Sequence, residues 1–367
     1  MCKREQIIAI APARTCLFGD HQDYLDLPVI ACAIDRHITL SATANSKKIF
    51  RLQMPDIDSE RTISFEDEIT SFEKGDFLMA ALVIAGEFGC VPNRGFDITI
   101  TGNIPVNSGI SSSSALLVAW VQFLLEAYGA DIPVTPDLVA QIAYVAEVER
   151  QSGPGGRMDQ YSISLGDIMY LETNDNANYE LFHKNIPGLI VGESGIPKDT
   201  LGVLGDLRHK ATASIEKVKS HIKGFDIKKV ELKDISKYVN YLPDDLVIYF
   251  QAAVINYSIT KKALEEFRKD DLDFYKIGAL MNEHHYVLKN MLKITVPRID
   301  AMIQAAIENG AYGAKIVGSG GGGSIVALAP LNKQQAVVQA IKDSGTVNAY
   351  VVEVDHGARI LKSKTDA

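Results

Sequence analysis

Alternating apolar and polar positions predict β-strands in the first part of the chain. Three segments have the period of two that a half-buried strand shows: IIAIAPA at 7–13, HITLSATA at 37–44 and FDITITG at 96–102. Apolar positions at helical spacing predict helices over 77–88 and 112–128. A further helix is expected from 136 to about 150, because Thr135 can cap it and Pro136 suits its first turn.

The pattern becomes mostly helical beyond Pro187. Long amphipathic stretches predict three helices, at 257–268, 271–292 and 297–309. A short apolar strand, AKIV at 314–317, follows them. Because no internal repeat or flexible linker marks another boundary, this change of pattern divides the chain into two expected domains, 1–185 and 186–367.

The composition is typical of a soluble globular protein. The chain has 367 residues, 47% of them apolar, which suits about two domains of ordinary size. No apolar run approaches the roughly 18 residues that span a bilayer, and the net charge of −9 argues against nucleic-acid binding, so neither a membrane nor a nucleic acid is an expected partner. The four cysteines lack CxxC or Cys/His ligand spacing, which favours unpaired thiols and a cytoplasmic location. Adjacent His284 and His285 would point about 100° apart on a helix and are expected to be structural.

The segment GNIPVNSGISSSSALLVAW, at 102–120, runs from a turn of small residues directly into a helical pattern. Four serines stand where the helix begins: Ser111, Ser112, Ser113 and Ser114. Main-chain N–H groups at a helix start lack intrahelical acceptors and lie at the positive end of the helix dipole, so they suit a phosphate. Gly102 and Gly109 permit a tight turn, and Pro105 stiffens the approach to it. A serine-capped buried helix without a ligand is the alternative interpretation.

The segment PARTCLFGDHQDY, at 12–24, places four charged or titratable side chains in a short loop after a strand. They are Arg14, Asp20, His21 and Asp23. Burying such groups is costly unless they pair with each other or with a polar ligand, and a polyhydroxylated ligand would satisfy them. A surface loop with ordinary ion pairs is the alternative.

The segment AEVERQSGPGGRMDQY, at 146–161, leads from a helix through a glycine-rich turn to Asp159. The glycines remove side chains beside that carboxylate and permit a ligand or another backbone to approach closely. Asp159 could therefore act as a base, and the alternative is that it only caps the helix it enters.

The segment GAKIVGSGGGGSIVAL, at 313–328, reads as a strand, a glycine loop and a second strand. Gly318, Gly320 and Gly323 formally spell GxGxxG, but a dinucleotide site needs a helix directly after the glycines. A glycine hairpin that supports a nucleotide loop fits better. The chain contains no GxxxxGK[ST] sequence, which argues against a P-loop enzyme.

In this order, these segments resemble the GHMP kinase superfamily, which includes galactokinase, homoserine kinase, mevalonate kinase and phosphomevalonate kinase. PVNSGISSSSAL looks like the ATP-phosphate loop of that family, and AKIVGSGGGGSIVAL looks like its C-terminal glycine motif. GDHQDY, at 19–24, resembles the galactokinase signature glycine, glutamate, histidine, threonine, aspartate, tyrosine. The segment 146–161 resembles the one with the galactokinase catalytic aspartate, so the sugar-1-kinase branch is the most similar.

The resemblance implies an α+β fold of two domains with the active site in the cleft between them. The N-terminal domain would be similar to domain 2 of ribosomal protein S5, and the C-terminal domain would be a ferredoxin-like α+β unit. The implied activity is transfer of the γ-phosphoryl group of ATP to the anomeric C1 hydroxyl of galactose or a closely related monosaccharide. Sugar and ATP would be the partners of a monomer or homodimer.

The resemblance also implies roles for individual residues. Asp159 would accept the proton of the anomeric hydroxyl, and Arg14 would orient that carboxylate, keep it charged and neutralise the transferred phosphoryl group. The implied substrate-binding set is Arg14, Asp20, His21, Asp23, Gly156 and Asp159. The implied ATP-binding set is Pro105, Ser108, Gly109, Ser111, Ser112, Ser113, Ser114, Gly320 and Gly321. Ser113 and Glu149 would hold Mg²⁺ through hard oxygen ligands, with Glu147 as the open alternative to Glu149.

Two departures from the galactokinase pattern keep other acceptors open. Asp20 replaces the usual glutamate and is one methylene shorter, and the stretch 197–208 lacks the tyrosine, asparagine and paired arginines that galactokinases show there. That stretch resembles mevalonate kinases more closely. The alternatives are therefore another sugar, a mevalonate-type small-alcohol kinase, or a sensor that binds sugar and ATP without turnover.

Overall fold

The computed structural model describes residues 5–67, 69–153, 155–197 and 202–361. In these residues the chain forms twelve strands. They are β1 (Gln6–Phe18), β2 (Val29–Asn45), β3 (Ile49–Met54), β4 (Ser59–Ser64), β5 (Gly95–Gly102), β6 (Ile168–Leu171), β7 (Tyr179–Phe182), β8 (Leu189–Glu193), β9 (Gly313–Val317), β10 (Ser324–Leu328), β11 (Asn348–Val352) and β12 (Arg359–Leu361).

Ten α-helices accompany these strands in the described ranges. They are α1 (Phe77–Glu87), α2 (Ser112–Tyr128), α3 (Pro136–Tyr144), α4 (Met158–Leu165), α5 (Gly202–His221), α6 (Ile235–Val239), α7 (Asp244–Phe267), α8 (Phe274–Tyr286), α9 (Pro297–Glu308) and α10 (Gln334–Asp343). None of the helices in the described part of the chain is long and apolar enough to cross a bilayer.

The strands form two sheets. The first has the order β12-β1-β2-β5-β3-β4, with β6 paired to β2 and β7 to β6, and the second has the order β11-β8-β10-β9. All pairings are antiparallel except that of β3 with β5. This mixture of helices and antiparallel sheets confirms the expected α+β class. The boundary at residue 185 stays a prediction, and the last strand, β12, returns to pair with β1 in the first sheet.

The two longest strands, β1 and β2, pair with each other, and β1 carries Arg14, which lines the cavity described below. Their pairing is interrupted by bulges at Pro12/Ala13 and Cys16/Phe18. Pro12 has no N–H to donate to the ladder, and a bulge changes the direction of the strand beyond it. In the bulged part of β1, the Arg14 N–H donates to the carbonyl of Ile110 at 3.2 Å. Strand β1 is thereby connected to the turn that precedes α2.

Helix α2 packs along β1 and is apolar on almost all sides because it is surrounded by protein. Trp120 is fully buried, meets Phe50 edge-on at a centroid distance of 5.2 Å and donates its indole N–H to the Leu78 carbonyl at 3.1 Å. Burial of an aromatic side chain of this size stabilises the fold by about 2–3 kcal/mol. The start of α2 is therefore held by a rigid core, which matters for any ligand that binds there.

Most predicted elements of the first part of the chain match the structure. The helix predicted at 112–128 is α2, and the one at 77–88 is α1. In the second part, α7 begins thirteen residues before the predicted 257, at Asp244. Strands β8 and β11 were not predicted. Strand β8 is buried at every position and so has no alternation of apolar and polar residues to detect.

The cysteines and the adjacent histidines lie in the interior. Cys16, Cys32 and Cys90 are buried free thiols, and Cys2 lies outside the described residues. Burial lowers the pKa of His284 to about 3 and that of His285 to about 4, so both rings are neutral at physiological pH. Both rings are buried where α8 packs against the rest of the protein, and His284 stacks on Phe18.

Candidate active site

A cavity of about 490 Å³ lies between the loop after β1, the start of α2, the turn before α4 and the β9–β10 glycine loop. This volume is in the usual range for small-molecule sites. The six residues of the predicted substrate-binding set all line it: Arg14, Asp20, His21, Asp23, Gly156 and Asp159. Residues that lie up to 145 positions apart in the chain are therefore brought to one wall of one cavity.

Arg14 and Asp159 form the central ion pair of this wall. Arg14 Nε donates to Asp159 Oδ1 at 2.8 Å, and Arg14 Nη2 lies 2.7 Å from the same oxygen. Arg14 is buried, which disfavours its charge, but the Asp159 carboxylate raises the pKa of the guanidinium above its ordinary value. Asp159 lies in the first turn of α4, whose N-cap position is Arg157, and its carboxylate accepts from Arg14 instead of capping the helix.

The turn before α2 presents main-chain donors to the cavity. Ser111 has a left-handed backbone (φ 66°), and its hydroxyl does not cap the helix. It donates instead to Asp159 Oδ2 at 2.6 Å. In the part of the chain that the structure describes, no side chain accepts from the N–H groups of residues 112–114. This geometry disfavours the serine-capped helix and leaves the positive end of α2 available to an anion at Ser113, which lines the cavity.

The other predicted ATP-binding residues divide into two groups. Ser113 and Ser114 line the cavity, whereas Ser108 donates to the Pro105 carbonyl at 2.8 Å and so holds the shape of the turn. Gly320 and Gly321 lie against Ile294, to whose carbonyl the Gly321 N–H donates at 2.8 Å.

Two residues of the glycine loop that were not in the predicted ATP-binding set line the cavity. Gly318 and Ser319, and not Gly320 and Gly321, face the cavity. Gly318 has a φ of 85°, and a Cβ there would come within 3.0 Å of the Gly109 carbonyl oxygen. Only glycine allows this close approach of the loop to the turn before α2, residues 102–111, called the phosphate turn below after its expected ligand.

The acidic residue nearest the serines is Glu147. Its Oε1 accepts from Ser114 Oγ at 3.0 Å and its Oε2 from Gln160 Nε2 at 2.7 Å, and it lines the cavity together with Ser113. Glu149 is exposed and does not line it. The segment Val145–Glu149 is a π-helical turn at the end of α3, a distortion common at functional sites. Of the two glutamates considered as metal ligands, the geometry therefore favours Glu147, because it lines the cavity and Glu149 does not.

The far end of the cavity is formed by Asp23 and His21. Asp23 accepts from the Gly156 N–H at 3.1 Å, and a Cβ on Gly156 would overlap the Asp23 carboxylate. Burial and the nearby Asp159 charge raise the pKa of Asp23 to about 6. Burial lowers the pKa of His21 to about 4, so its ring is neutral, and its Nε2 is buried without a partner among the described residues. Both groups can exchange hydrogen bonds with hydroxyls of a ligand.

Sequence reasoning missed Lys315, which contacts Asp20 from β9. Lys315 Nζ lies 2.6 Å from Asp20 Oδ2, and both side chains are buried. A lysine inside the apolar strand AKIV was the available signal, because a buried lysine requires a charged partner.

Only part of the stretch 197–208 can be compared with the site, because residues 198–201 lie outside the described residues. Leu204 of α5 lines the cavity. Arg208 donates to the Gly153 carbonyl at 3.0 Å and so anchors the glycine turn before α4. Helix α5 thus contributes both to the lining of the cavity and to the anchoring of this turn.

Family models match three parts of the chain. The GHMP kinases N terminal domain matches 76–167, the GHMP kinases C terminal domain matches 261–346, and the galactokinase galactose-binding signature matches 2–44. The three matches contain the phosphate turn, the glycine hairpin and the GDHQDY loop, respectively.

Relatives of two activities are similar over almost the whole chain. A galactokinase of Haemophilus influenzae (strain PittGG) is 27% identical over 97% of this chain and 95% of its own length. A mevalonate kinase of Thermococcus sibiricus is 28% identical over 97% of this chain and 98% of its own. Among solved structures, Lactococcus lactis galactokinase complexed with galactose has a TM-score of 0.85 at 21% identity, covering 98% of this chain and 96% of that one.

The two-domain α+β fold, the matches at both ends of the chain and the full-length similarity agree with one another. The chain belongs to the GHMP kinase superfamily and is a phosphotransferase with an alcohol group as acceptor.

Proposed function

We propose that this protein is a sugar kinase that transfers the γ-phosphoryl group of ATP to a neutral monosaccharide, with the C1 hydroxyl of galactose or a close relative as the leading acceptor. The observation that carries the proposal is the charge of the acceptor wall. Asp159 is balanced by Arg14 and Asp20 by Lys315, whereas Asp23 has no ion-pair partner among the described residues. Such a wall binds hydroxyl donors and repels a carboxylate.

In this proposal Asp159 is the general base. Its Oδ1 is held by Arg14 and its Oδ2 by Ser111, so the carboxylate is fixed at the wall of the cavity where an acceptor hydroxyl would approach it. As the acceptor oxygen bonds to the γ-phosphorus, its proton passes to Asp159 and the bond from phosphorus to the ADP oxygen breaks. Arg14 would balance the charge of the transferred group, because phosphoryl transfer depends on positioning and charge stabilisation.

The nucleotide is proposed to bind with its phosphates at the start of α2. Ser113 lines both the main cavity and a neighbouring pocket of about 410 Å³ that also contains Phe77, Leu116 and Leu117. This neighbouring pocket suits the base and ribose because it is partly apolar and adjoins the phosphate turn.

Mg²⁺ is proposed to lie between Glu147, Ser113 and the nucleotide phosphates. A carboxylate and a hydroxyl that both line the cavity are hard oxygen ligands, which fit this ion, whereas Glu149 is exposed and does not line the cavity. In the described residues no group of three or more His, Cys, Asp or Glu is arranged around a metal. A magnesium ion held partly by substrate phosphates needs no such group. The bound ion would neutralise phosphate charge.

A coupled ADP-release assay with a panel of hexoses, pentoses, uronic acids and mevalonate tests the acceptor class. Turnover of neutral sugars is expected, and ³¹P–¹H coupling in the product would identify C1 as the phosphorylated position. Turnover of mevalonate alone would establish the second candidate, which the Thermococcus sibiricus relative keeps open. Binding of ATP and a sugar without any product would indicate a sensor.

A further inference from the structure

Lys315 is a fully buried lysine in the middle of β9. Its side chain has no solvent exposure, and its ammonium donates to the Asp20 carboxylate at 2.6 Å and to the Cys16 carbonyl at 2.8 Å. Lys315 belongs to the second sheet and both acceptors belong to the first sheet or the loop after it. The contact therefore joins the two sheets at the acceptor end of the cavity.

The same segment holds both oxygens of Asp20. Oδ2 accepts from Lys315, and Oδ1 accepts from the Gly318 N–H at 3.1 Å, three residues further along. The Cys16 thiol also lies beside this carboxylate, which lines the cavity and has four lone-pair positions in all, so it can accept one further hydrogen bond. Asp20 can therefore accept a hydrogen bond from a ligand hydroxyl in an orientation that the second sheet determines.

The stability of the fold does not by itself explain a buried pair of this kind. Desolvation of two charges consumes most of their attraction, and an apolar pair of similar volume usually stabilises a protein as well or better. Burial alone would raise the pKa of Asp20, but the Lys315 charge and hydrogen bond hold that pKa below its ordinary value. Lys315 thus maintains a charged acceptor of hydrogen bonds at a site where burial by itself favours the neutral acid.

The β9–β10 hairpin also contacts the phosphate turn. Ser324 Oγ donates to the Ser108 carbonyl at 2.6 Å, and the backbone of Gly318 packs against Gly109. One hairpin therefore holds the loop of Asp20 on one side and the turn before α2 on the other. Its position sets the distance between the two halves of the site.

We propose that Lys315 is a positioning residue for the acceptor, which holds the Asp20 carboxylate so that it binds an acceptor hydroxyl remote from the reacting one. The proposal rests on the proposed function, because it assumes a polyhydroxylated acceptor in this cavity. Lys315 itself touches neither substrate. Through Asp20 it fixes where the acceptor lies relative to Asp159, and displacements of about 1 Å are enough to change rates by roughly a hundredfold.

The test is Lys315→Met, measured with the best acceptor from the panel. The KM for the acceptor is expected to rise roughly tenfold or more, while the Kd for ATP measured by calorimetry changes less than about twofold. Ile316→Ala is the matched control, because Ile316 is buried in the neighbouring position of β9 in a separate apolar cluster. It loosens the strand and should leave the acceptor KM near the wild-type value.

A double variant distinguishes positioning from stability. Asp20→Asn/Lys315→Met has no lone buried charge, so its Tm should recover toward that of the wild type while its acceptor KM stays high. Recovery of both Tm and KM would overturn the proposal, since Lys315 would then only compensate a buried charge. Monodeoxy acceptors identify the hydroxyl that Asp20 binds, because the acceptor without that hydroxyl should have the same KM with wild type and Asp20→Asn. The same deoxy acceptor should then also have the same KM with wild type and Lys315→Met.

The outcomes separate this proposal from the proposed function. If the wild type phosphorylates neutral sugars and Lys315→Met keeps the wild-type KM, only the role of Lys315 is overturned. If the wild type phosphorylates only a carboxylated acceptor, the proposed function fails, and the same variants are compared with that acceptor. If no acceptor in the panel is phosphorylated, both proposals are overturned.

Discussion

Ser111 donates its hydroxyl hydrogen bond to Asp159 at 2.6 Å, although 48 positions separate the two residues. Ser111 is the N-cap residue of α2 and Asp159 lies in the first turn of α4, so two helix starts meet at one hydrogen bond. The phosphate turn and the proposed base are thereby part of one rigid unit, together with Arg14. Five predictions concern this unit and its surroundings.

Asp159→Asn should abolish most of the turnover. The amide cannot accept the hydroxyl proton, so kcat is expected to fall by roughly 10²–10⁴-fold while the Kd for ATP, measured by calorimetry, stays close to that of the wild type. Steady-state kinetics on the acceptor from the panel supply the comparison. A variant with normal kcat would show that another group, or no group, acts as the base.

Ser111→Gly should lower kcat by about tenfold without a loss of stability. The substitution removes a hydrogen bond to a charged group, and glycine adopts the left-handed backbone of this position without strain. Ser112→Gly is the control, because Ser112 also lies at the start of α2 but does not line the cavity. An equal loss of kcat in both variants would mean that the helix start, and not the contact with Asp159, is responsible.

Glu147→Gln should weaken the binding of Mg²⁺, and Glu149→Gln should not. The first substitution removes a charge that lines the cavity beside Ser113, so the Mg²⁺ concentration for half-maximal rate is expected to rise about tenfold. Glu149 is exposed and away from the cavity, so its variant should follow the wild-type curve. A titration of the rate with MgCl₂ at saturating ATP measures both. The reverse result would restore Glu149 as the ligand.

Asp23 should impose an acid limb on acceptor binding. Its pKa is raised to about 6, first by burial and then by the Asp159 charge, so its carboxylate form is present only above that pH. We expect kcat/KM for the acceptor to decrease as the pH falls below about 6. In Asp23→Asn this decrease should be absent, and kcat/KM at neutral pH should be lower than in the wild type. His21, with a pKa of about 4, does not titrate in the same window. A limb that persists unchanged in Asp23→Asn would assign it to another group.

The raised pKa of Asp23 should also make the stability of the protein depend on pH. Because the pKa of folded Asp23 lies above the unfolded value of 3.8, the stabilising contribution of the neutral acid is present below about pH 4 and is lost as pH rises through 6. Asp23→Asn should therefore have a higher Tm than the wild type at pH 7.5, and the difference should vanish near pH 4. Thermal unfolding at both pH values tests this, and an unchanged difference would show that the charge of Asp23 is not destabilising.

The sequence predicted those helices and strands whose own apolar and polar residues alternate with a clear period. The helix at 112–128 and the strand at 96–102 have clear periodicity, so each was found near its observed bounds, whereas the strand predicted at 7–13 is the first part of the longer β1. Strand β8 has no alternation because both of its faces are buried, a condition that depends on helices far away in the chain. The start of α7 was also missed: residues 244–249 are exposed or only half-buried, so this part of the helix has no buried stripe to mark it.

The sequence alone determined which residue types could serve the reaction. The serine turn, the loop with Arg14 and Asp23, and the glycine turn before Asp159 were each recognisable from their chemistry, and the structure brings all of them to one cavity. Only the tertiary structure decided how these groups are paired: Ser111 with Asp159, Glu147 with Ser114, and Asp20 with Lys315. The physical reason is that a hydrogen bond or ion pair depends on distances between side chains, and packing of the two sheets sets those distances between residues up to 295 positions apart.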